Sequence, residues 1–199
     1  MSKQTIISIS REFGSMGHHI AGMIASDMGL KLYDRSILDE MAKEKNIKLE
    51  YLEKYDEKPK NVMLSRRVGR FSNSIEEVMA ELQFEYLREK AKTGESFIVV
   101  GRCGETVFKD HEGLISIFVT GNFQDKVNHI MEYFKISRNE AISKINRHDK
   151  ARKRYHNYHS DFKWGDSRYY DLCINSNKLE LEETVKVLET YIKARMDRI

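Results

Sequence analysis

Ten consecutive residues, Ser10-Arg11-Glu12-Phe13-Gly14-Ser15-Met16-Gly17-His18-His19, hold the most informative chemistry of this chain. Two glycines and a serine between an apolar run and a helix-forming run are what a loop needs to wrap an anion with its backbone N–H groups. The Gly-x-x-x-x-Gly-Lys-Ser/Thr pattern of phosphate-binding loops is nevertheless absent from the chain. With Gly14-Ser15 matched to the Gly-Ser often found inside that pattern, Met16 stands at its last glycine, Gly17 at its lysine and His18 at its hydroxyl. The backbone cradle survives these replacements; the point charge and the magnesium-ligating hydroxyl do not. His18 and His19 can contact an anion when protonated, or sit exposed at a helix start.

Three further groups carry candidate chemistry. Asp34 follows the short apolar run Lys31-Leu32-Tyr33. An acid there can hold a magnesium-bound water or orient a nucleophilic phosphate oxygen, and it can equally cap the helix opened by Arg35-Ser36-Ile37. Gly101-Arg102 follows a strand-like run at 96–100, which puts a guanidinium where bidentate phosphate recognition would use it, or in a surface pair with a carboxylate. In Arg147-His148-Asp149-Lys150-Ala151-Arg152-Lys153-Arg154, the residues Arg147, Lys150 and Arg154 can share a helical face. Asp149 and Arg152 are i, i+3 neighbours there, so Asp149 is expected to hold Arg152 in position. Arginines on a closing lid suit phosphoryl transfer, which needs charge neutralisation more than covalent help; the same cluster also reads as a solvated helix face. His156 and His159, with no further ligands nearby, read as helix-surface residues rather than a metal site.

These groups need a frame to position them. Strand signals at 5–10, 31–33, 96–100, 114–119 and 170–175, separated by enough chain for helical crossovers, give α/β alternation and a mainly parallel sheet. Ile20, Met23, Ile24 and Met28 fall at helical spacing, with Gly29 as a stop. Helical patterns also cover 37–45, 49–55, 75–93 and 181–195, the last with Leu181, Val185, Leu188 and Ile192 on one stripe. Pro59 and the basic run at 65–70 make residues 56–74 a mobile connection, a lid over the site, or a surface loop. At 199 residues and 40% apolar content, the chain has enough material for one sizeable core. The balance of 34 Lys and Arg against 31 Asp and Glu gives no reason to invoke nucleic acid. With no long apolar run and no signal pattern, the expectation is a cytoplasmic protein without a membrane partner. Cys103 and Cys173 are expected to be reduced and structural.

Taken in order, five stretches resemble the cytidylate kinase-like family over nearly the whole chain: Ser10-Arg11-Glu12-Phe13-Gly14-Ser15, Leu32-Tyr33-Asp34-Arg35, Val99-Val100-Gly101-Arg102, Asp149-Lys150-Ala151-Arg152 ahead of Tyr155-His156, and Tyr170-Asp171-Leu172-Cys173-Ile174-Asn175. That family is a divergent branch beside true cytidylate kinases. Its loop usually reads Gly-Ser-Gly-Gly, so Met16 is unusual even there, and the kinase lysine is missing across the branch. The resemblance implies a three-layer, P-loop nucleoside-monophosphate kinase-like α/β fold: a five-stranded parallel sheet with helices on both faces. As a single domain it would comprise a core at 1–55, 94–134 and 168–199, a helical acceptor-binding excursion at about 56–93 and a lid at about 135–167.

The same resemblance implies ATP as donor and Mg²⁺ as its companion ion. Gly14, Ser15, Met16, Gly17, His18 and His19 would hold the ATP phosphates, and Ser15 or Asp34 would organise Mg²⁺. Arg11, Lys150 or Arg152 would replace the missing lysine, with Asp34 beside them. Arg102, Asp34, Arg147 and Arg154 would meet the acceptor. The expected activity is transfer of the γ-phosphoryl group to a nucleoside monophosphate such as CMP, or to another small acceptor. The alternative is a pseudo-kinase that binds a nucleotide or anion without transfer.

Overall fold

The computed structural model describes residues 4–35, 37–44, 48, 50, 67–68, 71–72 and 75–199. Its centre is strand β1 (Ile6–Arg11), in which Ile6, Ile7 and Ile9 are wholly buried because both faces of the sheet are covered. β2 (Lys31–Tyr33), the short β3 (Arg67–Val68) and β4 (Phe71–Ser72), β5 (Phe97–Val100), β6 (Leu114–Thr120) and β7 (Leu172–Asn175) follow along the chain. Five of them form one sheet in the order β2-β5-β1-β6-β7, parallel throughout, with Ile6 opposite both Phe97 and Leu114. β3 and β4 pair antiparallel as a separate two-stranded piece.

Helices α1 (Gly17–Met28), α2 (Ile37–Glu44), α3 (Ile75–Ala91), α4 (Gly104–Val107), α5 (Phe123–Phe134), α6 (Arg138–His159) and α7 (Leu181–Met196) connect and cover the sheet. One layer packs Ile20 and Ile24 of α1 and Val185, Leu188 and Ile192 of α7 on Ile7 and Ile9. The other packs Ile37 and Met41 of α2 and Tyr86 and Leu87 of α3 on Ile6, Phe97 and Val99. This is the three-layer arrangement with a five-stranded parallel sheet that the family resemblance implies. Among the described residues no helix is long and apolar enough to cross a membrane.

β7 starts later than its sequence signal. The Asp171 carboxylate turns sideways to accept from the Ser116 amide at 2.8 Å and its hydroxyl at 3.0 Å, and Tyr170 closes a 3₁₀ turn instead of entering the strand. Pro59, the helix expected at 49–55 and the basic run at 65–70 lie outside the described residues, apart from Arg67–Val68 in β3 and isolated positions.

The topology decides where a ligand can sit. From β1 the chain visits β5 and β2 on one side and β6 and β7 on the other, so the crevice beyond the carboxyl end of β1 is the switch point of the sheet. The loop at 12–16 fills that crevice. α6 reaches back over it, started by a capping box in which Ser137 and Glu140 satisfy each other's backbone N–H groups.

Candidate phosphate-binding site

The loop turns on two left-handed residues, Gly14 (φ 85°) and Met16 (φ 60°). A side chain at Gly14 would be strained by its φ and crowded as well: a Cβ there would lie 3.1 Å from Ile130 Cγ1 and 3.2 Å from Lys126 Cβ, both on α5. Met16 holds a conformation that costs a side-chain-bearing residue about 1–2 kcal/mol. Packing of its partly buried thioether side chain against the Ile7 and Ile20 core offsets that cost. Met16 makes no side-chain cap to α1, so the first-turn amides of Gly17, His18 and His19 stay directed at the space in front of the loop.

The missing lysine has a steric explanation. Counting back from Met16 and Gly17 puts the first glycine of the phosphate-loop pattern at Arg11. Glycine and cation have therefore exchanged places. The exchange has to be reciprocal, because a Cβ at Gly17 would meet Arg11 Cβ at 2.6 Å and Val119 Cβ at 3.2 Å. Those atoms sit close to their backbones and cannot step aside. Gly17→Ala is expected to destabilise the fold by about 1–3 kcal/mol through overpacking. Urea unfolding measures this, and an unchanged midpoint would show that the Arg11 stem does not hold the space.

Arg152 of α6 comes to the same place from above. Its guanidinium donates to the Arg11 carbonyl at 3.3 Å and lies 5.6 Å from the centre of the Phe13 ring. His148 stacks on that ring at 4.2 Å and 10° between planes. Arg11, Met16, His18, Ile130, Tyr133 and Arg152 are among the walls of a cavity of about 430 Å³ in front of the loop. His18 Nε2 contacts Asp34 Oδ2 at 2.6 Å. Burial, and next the nearby positive charge of Arg11, hold His18 below the usual imidazole range against the opposing pull of Asp34. The cavity thus combines helix N-terminal amides with two arginines, beside a largely neutral His18 paired with an acid.

A model of the cytidylate kinase-like family matches residues 6–178 of the chain. The chain belongs to the cytidylate kinase-like family. A crystal structure of an uncharacterized protein from Eubacterium ventriosum is 33% identical, with a TM-score of 0.75, covering 96% of this chain and 99% of that one. The shikimate kinase of Bacteroides thetaiotaomicron (15% identity, TM-score 0.54, 95% and 98% of the two chains) shares the fold. So does a gluconokinase from Sinorhizobium meliloti (11% identity, TM-score 0.51, 99% and 93%). None of the curated proteins matches the chain.

Several residues singled out from the cytidylate kinase-like pattern lie elsewhere than expected. The Ser15 hydroxyl is fully buried and turned to the Glu12 and Val119 carbonyls, at 2.9 and 3.1 Å, so it shapes the loop and does not face the cavity as a magnesium ligand would. Lys150 and Arg154 line a separate groove of about 470 Å³ on the outer side of α6, and Arg147 is exposed. At about 100° per residue, positions 150 and 154 each lie roughly 160° around the helix from 152, so the helix cannot aim both sets at the loop. Asp149 is tied first to the loop, its Oδ1 accepting the Phe13 N–H at 2.7 Å, and Arg152 acts on it through its nearby charge. Arg102 is no surface pair, being 3% exposed in a run of three left-handed residues, Gly101, Arg102 and Cys103. It lines a small cavity with Arg11, Arg152, Tyr155 and His156.

The donor set fits the ligands of a kinase-like fold unevenly. Amides and arginines suit an ATP phosphate chain. Among the described residues no group of three or more His, Cys, Asp or Glu side chains is placed to hold a metal ion. Mg²⁺ ordinarily needs only one or two carboxylates besides phosphate oxygens and waters, a part that Asp34 can fill.

Sequence reasoning missed a buried polar network under α6. Glu105, 3% exposed, accepts from Ser8 Oγ at 2.8 Å and Ser10 Oγ at 3.3 Å and pairs with His156 Nε2 at 2.9 Å. His156 is therefore not a surface residue. Burial works to raise the Glu105 pKa, but the His156 partner outweighs it and holds the carboxyl below its usual range. Burial also pushes the Tyr170 hydroxyl up, with the Glu105 charge adding to it. A signal was present: Ser8 and Ser10 fall on the same face of β1 as Ile6, and two buried hydroxyls need a polar partner.

Proposed function

We propose that this protein transfers the γ-phosphoryl group of ATP to a small acceptor, with a nucleoside monophosphate of the CMP type as the first to test. The observation that carries this reading is the meeting of Arg11 and Arg152 in front of the α1 N-terminus, where Gly17 leaves room for the Arg11 stem. Amides of the loop and first helical turn would hold the β- and γ-phosphates. Arg11 would supply the charge that a loop lysine supplies elsewhere, and Arg152 would stabilise the charge developing on the transferring group. Asp34 would be the acid that holds Mg²⁺, which would supply charge neutralisation on the donor when bound.

In the transfer, an acceptor oxygen bonds to the γ-phosphorus as the bond from that phosphorus to the ADP oxygen breaks. Arg102, buried beside Arg11 and Arg152 on a cavity of about 20 Å³, would meet an anionic group of the acceptor. Lys150 and Arg154, on the far side of α6 from Arg152, and the exposed Arg147 would take no part. The acceptor-binding excursion at about 56–93 and the lid at about 135–167 are parts of the same proposal.

Calorimetry of ATP with and without Mg²⁺, followed by ATP consumption across CMP, dCMP, UMP and sugar acceptors, tests it. Magnesium-dependent ATP binding and consumption with at least one acceptor is the expected result. Tight ATP binding without consumption for any acceptor would overturn it in favour of a nucleotide-binding pseudo-kinase. Arg102→Ala is expected to raise KM for the acceptor by about tenfold or more while ATP affinity holds, as removal of a charge-assisted contact would. An unchanged acceptor KM in steady-state assays would take Arg102 out of the acceptor site.

A further inference from the structure

Two carboxylates from separate elements share one buried ammonium. Lys126 of α5, with a side chain 6% exposed, lies 2.8 Å from Glu12 Oε2 in the loop and 3.6 Å from Asp149 Oδ2 on α6. Glu12 Oε2 also accepts from Thr120 Oγ1 at 2.7 Å and the Gly121 N–H at 3.3 Å, which ties the ammonium to the end of β6. Asp149 Oδ1 accepts the Phe13 N–H at 2.7 Å. The lysine stem is confined on both sides: a Cβ at Gly14 would come within 3.2 Å of Lys126 Cβ, and one at Gly121 within 3.1 Å of its Cγ.

We propose that Lys126 is a positioning residue whose ammonium latches the lid helix to the phosphate loop by bridging Glu12 and Asp149, and so seats Arg152 on the loop. Its effect on phosphoryl transfer rests on the kinase reading above; the latch itself does not. Lys126 lies behind the loop, against Gly14, while the cavity opens in front, so it acts through the two acids and touches no phosphate.

Lys126 keeps two like charges apart in a partly buried place, the Glu12 and Asp149 side chains being 25% and 20% exposed. Burial already pushes the Asp149 carboxyl up, and the Phe13 N–H and Lys126 oppose that push. Without the ammonium, Glu12 and Asp149 repel across a partly screened gap, and Asp149 either takes up a proton or swings out to solvent. In the second case the Phe13 N–H loses its acceptor. Arg152, one turn along from Asp149, then loses its seat on the Arg11 carbonyl and the Phe13 ring.

Amide hydrogen exchange at Phe13, read by NMR on the full chain, tests the latch without any assay of activity. Lys126→Met keeps the length of the stem and removes the charge. It is expected to speed Phe13 exchange by about tenfold or more while Ile7 and Ile9 of β1 keep their protection, and Lys126→Arg is expected to restore protection at Phe13. An unchanged Phe13 rate in a folded Lys126→Met chain, or a rise shared equally by Ile7 and Ile9, would overturn the proposal. Should Lys126→Met fail to fold, Asp149→Asn decides: its amide oxygen can still accept from Phe13, so faster exchange there implicates the charge bridge, and unchanged exchange refutes it.

In turnover, Lys126→Met is expected to lower kcat by about tenfold with KM for ATP nearly unchanged, as mispositioning of a lid arginine would. A kcat equal to that of the unmodified protein would mean that the latch does not seat Arg152 for transfer. No turnover in the unmodified protein would remove the kinase reading and leave Phe13 exchange to judge the latch.

Discussion

Arg11→Gly is expected to lower kcat for phosphoryl transfer by about 10²- to 10³-fold, the range found when one preorganised charge-stabilising group is removed from an active site. The reason lies in the exchange of Arg11 and Gly17. The Arg11 stem passes over Gly17 so closely that a Cβ there would lie 2.6 Å from its own, which leaves the guanidinium as the cation that β1 delivers to the front of the loop. The reverse exchange is the sharper test. Gly17→Lys alone is expected to destabilise the protein, because its Cβ collides with the Arg11 stem. In the double variant Arg11→Gly/Gly17→Lys that collision is gone and a lysine occupies its usual place in a phosphate loop, so kcat is expected to recover by about tenfold or more over Arg11→Gly alone. Single-turnover kinetics of the three variants would show it. A double variant no faster than Arg11→Gly would refute the idea that arginine and lysine are alternative solutions to one electrostatic need.

His156→Ala is expected to produce the largest loss of stability, about 3–5 kcal/mol, by leaving a buried carboxylate without its partner. Glu105 and His156 side chains are 2% and 3% exposed, so water cannot take over the lost contact. The pH dependence supplies a second, signed readout. In the intact protein burial pushes the Glu105 carboxyl up but His156 pulls it further down, below the usual carboxyl value. Its contribution to stability is therefore present above that value and is lost as pH falls through the lower folded-state value. Without His156, burial is opposed only by the Ser8 hydroxyl and a backbone N–H and raises the Glu105 pKa, so folding is then favoured below the usual carboxyl value and weakened as pH rises through the raised one. The penalty of His156→Ala is expected to grow from about pH 5 to about pH 7 in urea unfolding. A penalty that is constant or shrinks over that interval would mean that Glu105 does not bear the charge.

Much of the frame is legible along the chain. β-branched runs mark the strands of the parallel sheet, and the apolar stripe at Val185, Leu188 and Ile192 marks the helix that packs on it. These patterns are local, and each is repeated several times within its own element. The candidate site is only partly legible. The position of the loop follows from strand, glycine and helix in succession. The orientation of Arg152 was also written in the chain: Ala141, Ile145, His148, Arg152, Tyr155 and His159 fall on one heptad-spaced stripe, and its members Ala141, Ile145 and Tyr155 are buried. Counting charges without that phase gives Lys150 and Arg154 the same standing as Arg152.

By itself, then, the amino-acid sequence determined the α/β alternation, the loop at the end of the first strand, and the absence of a lysine from it. Tertiary structure alone decided that the exchange of glycine and cation has to be reciprocal, because the contact between Arg11 and Gly17 depends on how closely β1 passes the start of α1. It also decided the partners of the buried charges. Glu105 meets Ser8 and His156, and Lys126 meets Glu12 and Asp149, across crossovers that bring distant segments together. No local pattern encodes such a pair: hydrophobic periodicity reports which face of an element turns inward, whereas a buried ion pair depends on which other element arrives there, and at what distance.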